Sequence, residues 1–253
     1  KAKVEASSVK GAVPAERKLS PSMRDGLIFV FFAVVALLIY SNTLHGPFVF
    51  DDDPNIVENT HIRLQSLSFK GLGDAGFKGV APNRPVANIS FALNYYVHQY
   101  STTGYHVVNI LIHIITGILL YVFIRETLRI WGEHVSGALR IEPVHVSLIA
   151  FSASLLWLVH PIQTQAVSYV VQRMASMASM FYVLSFVLYV RGRLKEGGGA
   201  RYVLYGGSVV SGLLAMGSKE IAVTLPVFVF LYEWYFFRDL SWGWLKRALV
   251  PVV

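Results

Sequence analysis

Cysteine is absent from this chain of 253 residues, and charged residues are scarce. Without a thiol, the chain can form no disulfide, no thiolate zinc site and no cysteine nucleophile. Asp, Glu, Lys and Arg together make up 15% of the residues, whereas a soluble domain carries about 25%. Hydrophobic residues make up 54%, and the mean hydropathy is +0.51. This composition excludes a soluble globular domain, a disordered chain and a disulfide scaffold.

The hydrophobic residues form long blocks. A block of about 20 residues is long enough to cross a hydrocarbon core of about 30 Å. We therefore predict an all-α integral membrane protein, a polytopic helical bundle with spans at residues 26–44, 105–124, 144–160, 174–190, 202–217 and 221–237. A seventh span is expected to begin near Ala248. A cleaved signal peptide is the alternative for the first block, but residues 40–43 (YSNT) lack an Ala-x-Ala cleavage pattern.

Basic residues between the blocks indicate the orientation. Of the 22 Lys and Arg residues, 16 fall within residues 1–25, 125–143, 191–201 and 238–247. Because short cytoplasmic loops collect Lys and Arg, we predict that the basic N-terminal tail, residues 1–25, is cytoplasmic. The long first loop, residues 45–104, then lies on the outer side. The net charge of +7 is mostly membrane-flank charge, so the lipid bilayer is an expected partner and nucleic acid is not.

Three consecutive acids, Asp51, Asp52 and Asp53, follow the first predicted span. Adjacent carboxylates repel one another unless they are solvated, partly protonated, paired with a basic side chain or bound to a cation. A carboxylate at the boundary between membrane and water is suited to act as a general base on an incoming hydroxyl. The alternative is a solvated acidic turn, or an aspartate that caps the following segment.

Polar residues also mark the outer ends of later spans. His106, Asn109 and His113 recur at helical spacing on one face of the second span. Polar residues within a span face the bundle interior or a water-filled cavity, so this face is either a substrate contact or an interhelical hydrogen-bond network. Further candidates at the outer side are Arg84, His160, Arg173, Lys219 and Glu220.

The cations among these candidates could hold an anionic headgroup. The alternatives are a local ion pair between Lys219 and Glu220, and a membrane-flanking role for Arg173.

Five segments, in order along residues 26–237, resemble motifs of the transmembrane and tetratricopeptide-repeat O-mannosyltransferases and their bacterial relatives. They are residues 46–52 (GPFVFDD) with Ile56, Arg84-Pro85 with residues 90–95 (SFALNY), residues 104–109 (GYHVVN) with His113, residues 160–167 (HPIQTQAV), and Lys219-Glu220. That family belongs to the GT-C class of multi-span glycosyltransferases, whose long first outer loop carries the catalytic acid.

The resemblance implies transfer of a sugar from a polyprenyl-phosphate donor to a protein or glycan acceptor, on the periplasmic side of a bacterial inner membrane. It implies Asp51 and Asp52 as catalytic acids. We expect contacts to the donor phosphate from Arg84, Arg173 and Lys219, and other substrate contacts from Asp53, His106, Asn109, His160 and Glu220. No metal site or cofactor is predicted, although the three acids leave a divalent cation open.

The chain departs from the family pattern in several places. Gln163 and Gln165 stand where members are expected to carry His/Thr-Glu-like residues, and Asp53 adds a third acid. The 34-residue helical repeats that usually follow in the family are not present. Because the chain starts at Lys1 and ends in an apolar run, we expect it to be part of a longer polypeptide, with further spans and repeats elsewhere. The alternative function is a non-catalytic membrane component, either a scaffold or a transporter-like bundle. A transporter, however, would place its key charges near the bilayer midplane.

Overall fold

The structure, a computed structural model, describes residues 20–134 and 141–249. These residues form ten α-helices and no strand: α1 (Pro21–Tyr40), α2 (Phe69–Phe77), α3 (Pro85–His98), α4 (Thr102–His134), α5 (Pro143–Val159), α6 (Gln163–Ser168), α7 (Arg173–Leu194), α8 (Gly199–Met216), α9 (Leu225–Phe237) and α10 (Trp242–Leu249). Short 3-10 or π turns occupy Ser41–Thr43, Asp53–Val57, Thr60–Ile62, Val170–Gln172 and Glu220–Thr224.

Four stretches among the described residues are long and apolar enough to cross a membrane. They are Pro21–Thr43, Thr102–Gly132, Val170–Leu194 and Glu220–Phe237. They coincide with four of the six predicted spans, and the predicted all-α membrane class is confirmed. The predicted span 144–160 is helix α5, which is apolar but only 17 residues long. The predicted span 202–217 is helix α8, which has 18 residues but includes Arg201 and falls short in hydropathy.

The helix boundaries differ from the predicted ones at two places. Helix α4 continues to His134, so the predicted connection 125–143 begins as helix. Helix α1 begins at Pro21, where Ser20 caps it by accepting from the Met23 N–H at 3.3 Å, so the end of the predicted tail is helical. Residues 1–19 of that tail lie outside the described residues, as do residues 250–253, into which the seventh predicted span would continue.

The spans pack around two apolar cores, one between α1, α4 and α5 and the other between α4, α7 and α9. Helices α1, α4 and α5 enclose Phe32, Tyr121 and Leu158, none of which is exposed. Helices α7 and α8 approach closely because Gly192 offers no side chain. A Cβ there would lie 2.6 Å from the ring of Tyr205. Small residues permit such approach between membrane helices.

The long first loop forms a packed cap over one end of the bundle. This segment, residues 44–101, is called the outer cap because the sequence predicts that it lies on the outer side. It contains α2 and α3 and buries Ile56, Ile62 and Phe91 against Tyr105 of α4 and Val170 before α7. It is therefore an ordered part of the fold, and it shares its core with the ends of α4 and α7.

Contacts between backbone groups tie the outer cap to later helices as well. The Val86 N–H, in the first turn of α3, donates to the Gly217 carbonyl at the end of α8 over 2.9 Å. The outer ends of α1, α4, α7 and α8 consequently meet at one face of the molecule.

Gly192→Ala tests the packing of α7 on α8. We expect the melting temperature in detergent to fall by several degrees, because overpacking a filled site costs about 1–3 kcal/mol. Gly206→Ala is the control, since no atom lies within 4 Å of a Cβ at position 206 of α8. Equal melting temperatures for the two variants would contradict this packing.

Candidate active site

The three acids lie in a tight turn of the outer cap, residues 49–53, called here the acid turn. Phe50 has a φ of +48°, a left-handed conformation that is unfavourable for a bulky residue. The Asp52 N–H donates to the Val49 carbonyl at 3.0 Å, and Asp52 Oδ2 accepts from the Val49 N–H at 3.0 Å. Two hydrogen bonds between the same two residues therefore close the turn and hold Phe50 in its strained conformation.

Asp52 also attaches the acid turn to the start of α7. Its carboxylate is fully buried, and Oδ1 accepts from the Val171 N–H at 2.7 Å. Burial raises the pKa of Asp52, and the two backbone N–H bonds act against this rise, while Asp53 and Asp51 add to it. Both oxygens therefore accept hydrogen bonds from the backbone, and these bonds hold Asp52 within the protein.

Asp51 and Asp53, in contrast, are exposed. The Asp51 N–H donates to the hydroxyl of Tyr169 at 2.8 Å, and its carbonyl accepts from Asn55 Nδ2 at 2.8 Å. Asp53 opens the short π turn that follows, and its N–H donates to the Phe50 carbonyl at 3.2 Å. The structure thus separates the three acids into one buried and two open to solvent.

Arg173, the first residue of α7, is fully buried beneath the outer cap. Nε donates to Asn109 Oδ1 at 2.7 Å, and Nη2 donates to Asn94 Oδ1 at 2.8 Å and to the Tyr105 carbonyl at 2.9 Å. The guanidinium lies over the ring of Phe91, 4.7 Å from its centroid. Among the described residues, Arg173 has no carboxylate within ion-pair distance. The geometry favours a cation that joins α3, α4 and α7 over one that meets a phosphate.

The polar face of α4 is turned into the protein. His106 donates from Nε2 to the Gly46 carbonyl at 3.2 Å, which ties α4 to the chain just before the acid turn. Asn109 Nδ2 donates to the carbonyls of Val167 and Val170, and His113 Nε2 donates to the Leu158 carbonyl at 2.9 Å. All three side chains are buried, so this face forms the interhelical hydrogen-bond network that was the alternative expectation.

The remaining cations lie together where α3 meets the turn before α9. Arg84 Nε donates to both carboxylate oxygens of Glu220, at 3.1 and 3.3 Å, and Nη1 donates to Met174 Sδ at 3.4 Å. Asn83 also donates to Glu220. Lys219 is half-buried, and its ammonium has no ion-pair partner within the described ranges. Glu220 therefore pairs with Arg84 and leaves the neighbouring Lys219 unneutralised.

His160 stands apart from both groups. It ends α5 and is exposed, with Nδ1 accepting from the Ile162 N–H at 3.2 Å. Among the described residues, no hydrogen bond joins its ring to the acid turn or to Arg84.

Two apolar clefts lie beside α7, and the first is lined in part by the two residues that follow Glu220 in sequence. The outer cleft, of about 280 Å³, is lined by Ala178, Ser179, Tyr182, Val183, Ile221 and Ala222. The deeper cleft, of about 500 Å³, shares Tyr182 and Val183 and runs between α4, α7 and α9. Together they lead from the turn after Lys219 into the membrane-spanning part of the bundle.

In residues 20–134 and 141–249, no group of three His, Asp or Glu side chains is placed to hold a metal ion.

Sequence reasoning missed Tyr169, the side chain outside the outer cap that hydrogen-bonds to Asp51. A single tyrosine between two short apolar runs carries no spacing pattern, so only its contact with Asp51 reveals it.

Curated relatives of this chain are named protein O-mannosyl-transferases. One from Caenorhabditis elegans is 32% identical over 187 residues, covering 71% of this chain and 25% of its own length. TMTC4 of Mus musculus is 32% identical over 208 residues, covering 76% of this chain and 27% of its own length. Tmtc3 of Drosophila melanogaster is 28% identical over 246 residues, covering 90% of this chain and 27% of its own length.

No protein-family model matches the chain, and no solved structure matches it. The chain spans about a quarter of the length of the curated relatives it matches. The similarity covers the spans and the outer cap together, including the acid turn and the polar residues beneath it. Over most of its length, the chain belongs to the TMTC O-mannosyl-transferase-like family.

Proposed function

We propose that this chain carries the catalytic face of an integral-membrane glycosyltransferase, which moves a sugar from a polyprenyl-phosphate donor to a protein hydroxyl. The observation that carries the proposal is the exposed Asp51, held rigidly at one end of the bundle in a chain whose relatives are named protein O-mannosyl-transferases. In this proposal the N-terminus is cytoplasmic and the outer cap lies on the opposite side, because the Lys and Arg residues collect in the connections away from the cap. The bacterial inner membrane, with a periplasmic cap, is the location implied by the resemblance to the family's bacterial relatives.

Asp51 is the general base and Asp52 positions it. The Asp51 carboxylate accepts the proton of the acceptor hydroxyl as that oxygen attacks the anomeric carbon. The bond from the anomeric carbon to the phosphate oxygen breaks, and the polyprenyl phosphate leaves with the electron pair. Asp52 does not take this role, because its side chain is fully buried and bonded to the backbone of Val49 and Val171. Asp53 is exposed beside Asp51 and is available to contact the acceptor.

Arg84 and Lys219 bind the donor phosphate, and the negative charge that develops on it is stabilised by their cations. Arg84 bonds to Glu220, Lys219 precedes it, and the next two residues, Ile221 and Ala222, line the outer cleft. The clefts have room for an isoprenoid chain. Glu220 contributes by orienting Arg84. The site is supported from beneath by Arg173, His106 and Asn109, which do not contact the substrate. His160 is proposed to contact the acceptor. No step requires a metal ion, since the cations of Arg84 and Lys219 serve the leaving group.

Replacement of Asp51 tests the proposed base. Asp51→Asn removes the proton acceptor and keeps the size of the side chain, so we expect kcat to fall by about 10²–10⁴-fold with an unchanged melting temperature. The assay uses the complete protein with a polyprenyl-phosphate-linked sugar, and mannose is the first sugar of the panel.

The matched control for that measurement is Asp74→Asn. Asp74 is an acid of the same outer cap that pairs with Lys78 on the surface at 2.7 Å. We expect it to leave transfer intact. A fully active Asp51→Asn enzyme would overturn the proposal and would favour a non-catalytic membrane component.

Arg84→Gln and Lys219→Gln test the donor site. Each is expected to raise KM for the polyprenyl-phosphate sugar about tenfold, since a hydrogen bond to a charged group contributes about 1.5–3 kcal/mol, and KM for the acceptor should not change. Lys70→Gln, on an exposed position of α2, serves as the control. A selective rise in the acceptor KM would assign these two cations to the other substrate.

A further inference from the structure

Tyr169 is the residue through which the helical connection before α7 contacts Asp51. It lies between α6 and the turn Val170–Gln172 in an extended conformation, with φ −86° and ψ 112°. Its hydroxyl oxygen accepts from the Asp51 N–H at 2.8 Å, across 118 positions of sequence. Two residues later, the Val171 N–H donates to Asp52. The acid turn is therefore joined to this connection by two hydrogen bonds of opposite direction.

The tyrosine hydroxyl retains a proton to donate. A phenol oxygen that accepts one hydrogen bond still has its own O–H, and the charged groups that face it are Asp51 and Asp52 of the acid turn. Burial raises the pKa of Tyr169, and the charges of Asp51 and Asp52 raise it further, while the hydrogen bond from the Asp51 N–H acts in the opposite direction. The hydroxyl thus stays protonated near neutral pH.

The ring of Tyr169 also has an aromatic neighbour in the acid turn. Phe50 lies against it edge to face, with 6.4 Å between the ring centroids. Phe50 is 84% exposed despite its left-handed backbone, so the aromatic pair borders the solvent side of Asp51. Strained, exposed residues of this kind are common beside functional sites.

We propose that Tyr169 is a positioning residue for Asp51, whose backbone it holds through the hydroxyl oxygen and whose carboxylate it orients through the hydroxyl proton. This inference rests on the proposed role of Asp51 as the general base. The carboxylate must meet the acceptor hydroxyl at hydrogen-bond distance, and a misplacement of about 1 Å can reduce the rate about 10²-fold.

Tyr169→Phe removes the hydroxyl and keeps the ring. We expect kcat of the complete protein to fall about ten- to a hundredfold, with KM for donor and acceptor within about twofold of the wild type. The matched control is Tyr100→Phe, whose hydroxyl donates to the Val57 carbonyl at 3.2 Å in the same outer cap and does not contact Asp51. An unchanged kcat in Tyr169→Phe would overturn the inference, as would an equal loss in both variants.

A second substitution covers the case in which Tyr169→Phe fails to fold. Tyr169→3,5-difluorotyrosine keeps the ring and the hydroxyl, but its phenol ionises at a lower pH. A phenolate cannot donate and repels Asp51 and Asp52, so kcat of this protein should fall as pH rises through that ionisation, whereas kcat of the wild type should not. A pH profile identical to that of the wild type would overturn the inference.

Asp51→Asn separates this inference from the proposed function. If Asp51→Asn is fully active, the general-base role fails, and the role of Tyr169 fails with it. If Asp51→Asn is inactive while Tyr169→Phe and the difluorotyrosine protein match the wild type, only the role of Tyr169 is wrong.

Discussion

The acid turn depends on the hydrogen bonds that the buried carboxylate of Asp52 accepts. An ionised or polar group without partners inside a protein costs several kcal/mol, and Asp52 avoids this cost only by accepting the N–H groups of Val49 and Val171. One bond closes the turn and the other fastens it to a segment 119 residues away. The strained conformation of Phe50 persists because these bonds over-determine the turn. Because Asp52 is directed inward to bind these two N–H groups, the adjacent Asp51 is left exposed.

Arg173 likewise holds the outer cap to the bundle through buried hydrogen bonds. A buried guanidinium needs its donors satisfied, and here uncharged acceptors on α3 and α4 satisfy them, together with the ring of Phe91. Removing one acceptor would leave a buried cation under-bonded, which costs more than an ordinary hydrogen bond. These hydrogen bonds therefore fix the outer cap to the ends of α4 and α7, and the acid turn belongs to this fixed part of the structure.

Ion pairs join helices at both ends of the bundle. At the end opposite the acid turn, Arg125 pairs with Asp25, and Glu233 accepts from both Arg193 and Arg238. At the outer end, Arg84 pairs with Glu220, while Asp51, Asp53 and Lys219 lie at least partly open to solvent. Charges that can still gain partners are suited to bind a substrate, and these three are the open charges that the proposed function uses.

Composition and periodicity alone predicted much of this protein. The apolar blocks located four helices that are long enough to cross a membrane, because span length is a property of continuous sequence. The motif around residues 46–52 placed the acids in a loop. The blocks also located helices α5 and α8, although neither is long and apolar enough to count as a membrane span. The extension of α4 to His134 was beyond such reasoning, since a helix can continue past its apolar block.

Asp51 and Asp52 are adjacent in the sequence, so the sequence alone assigns them the same role. Helical spacing places His106 and Asn109 on one face. Only the tertiary structure separates the two acids, turns that face into the protein, buries Arg173 and brings Tyr169 to Asp51. The physical reason is that partners decide the role of a polar group. These partners lie 58 to 119 residues away along the chain, which is too far for a local sequence pattern to indicate them.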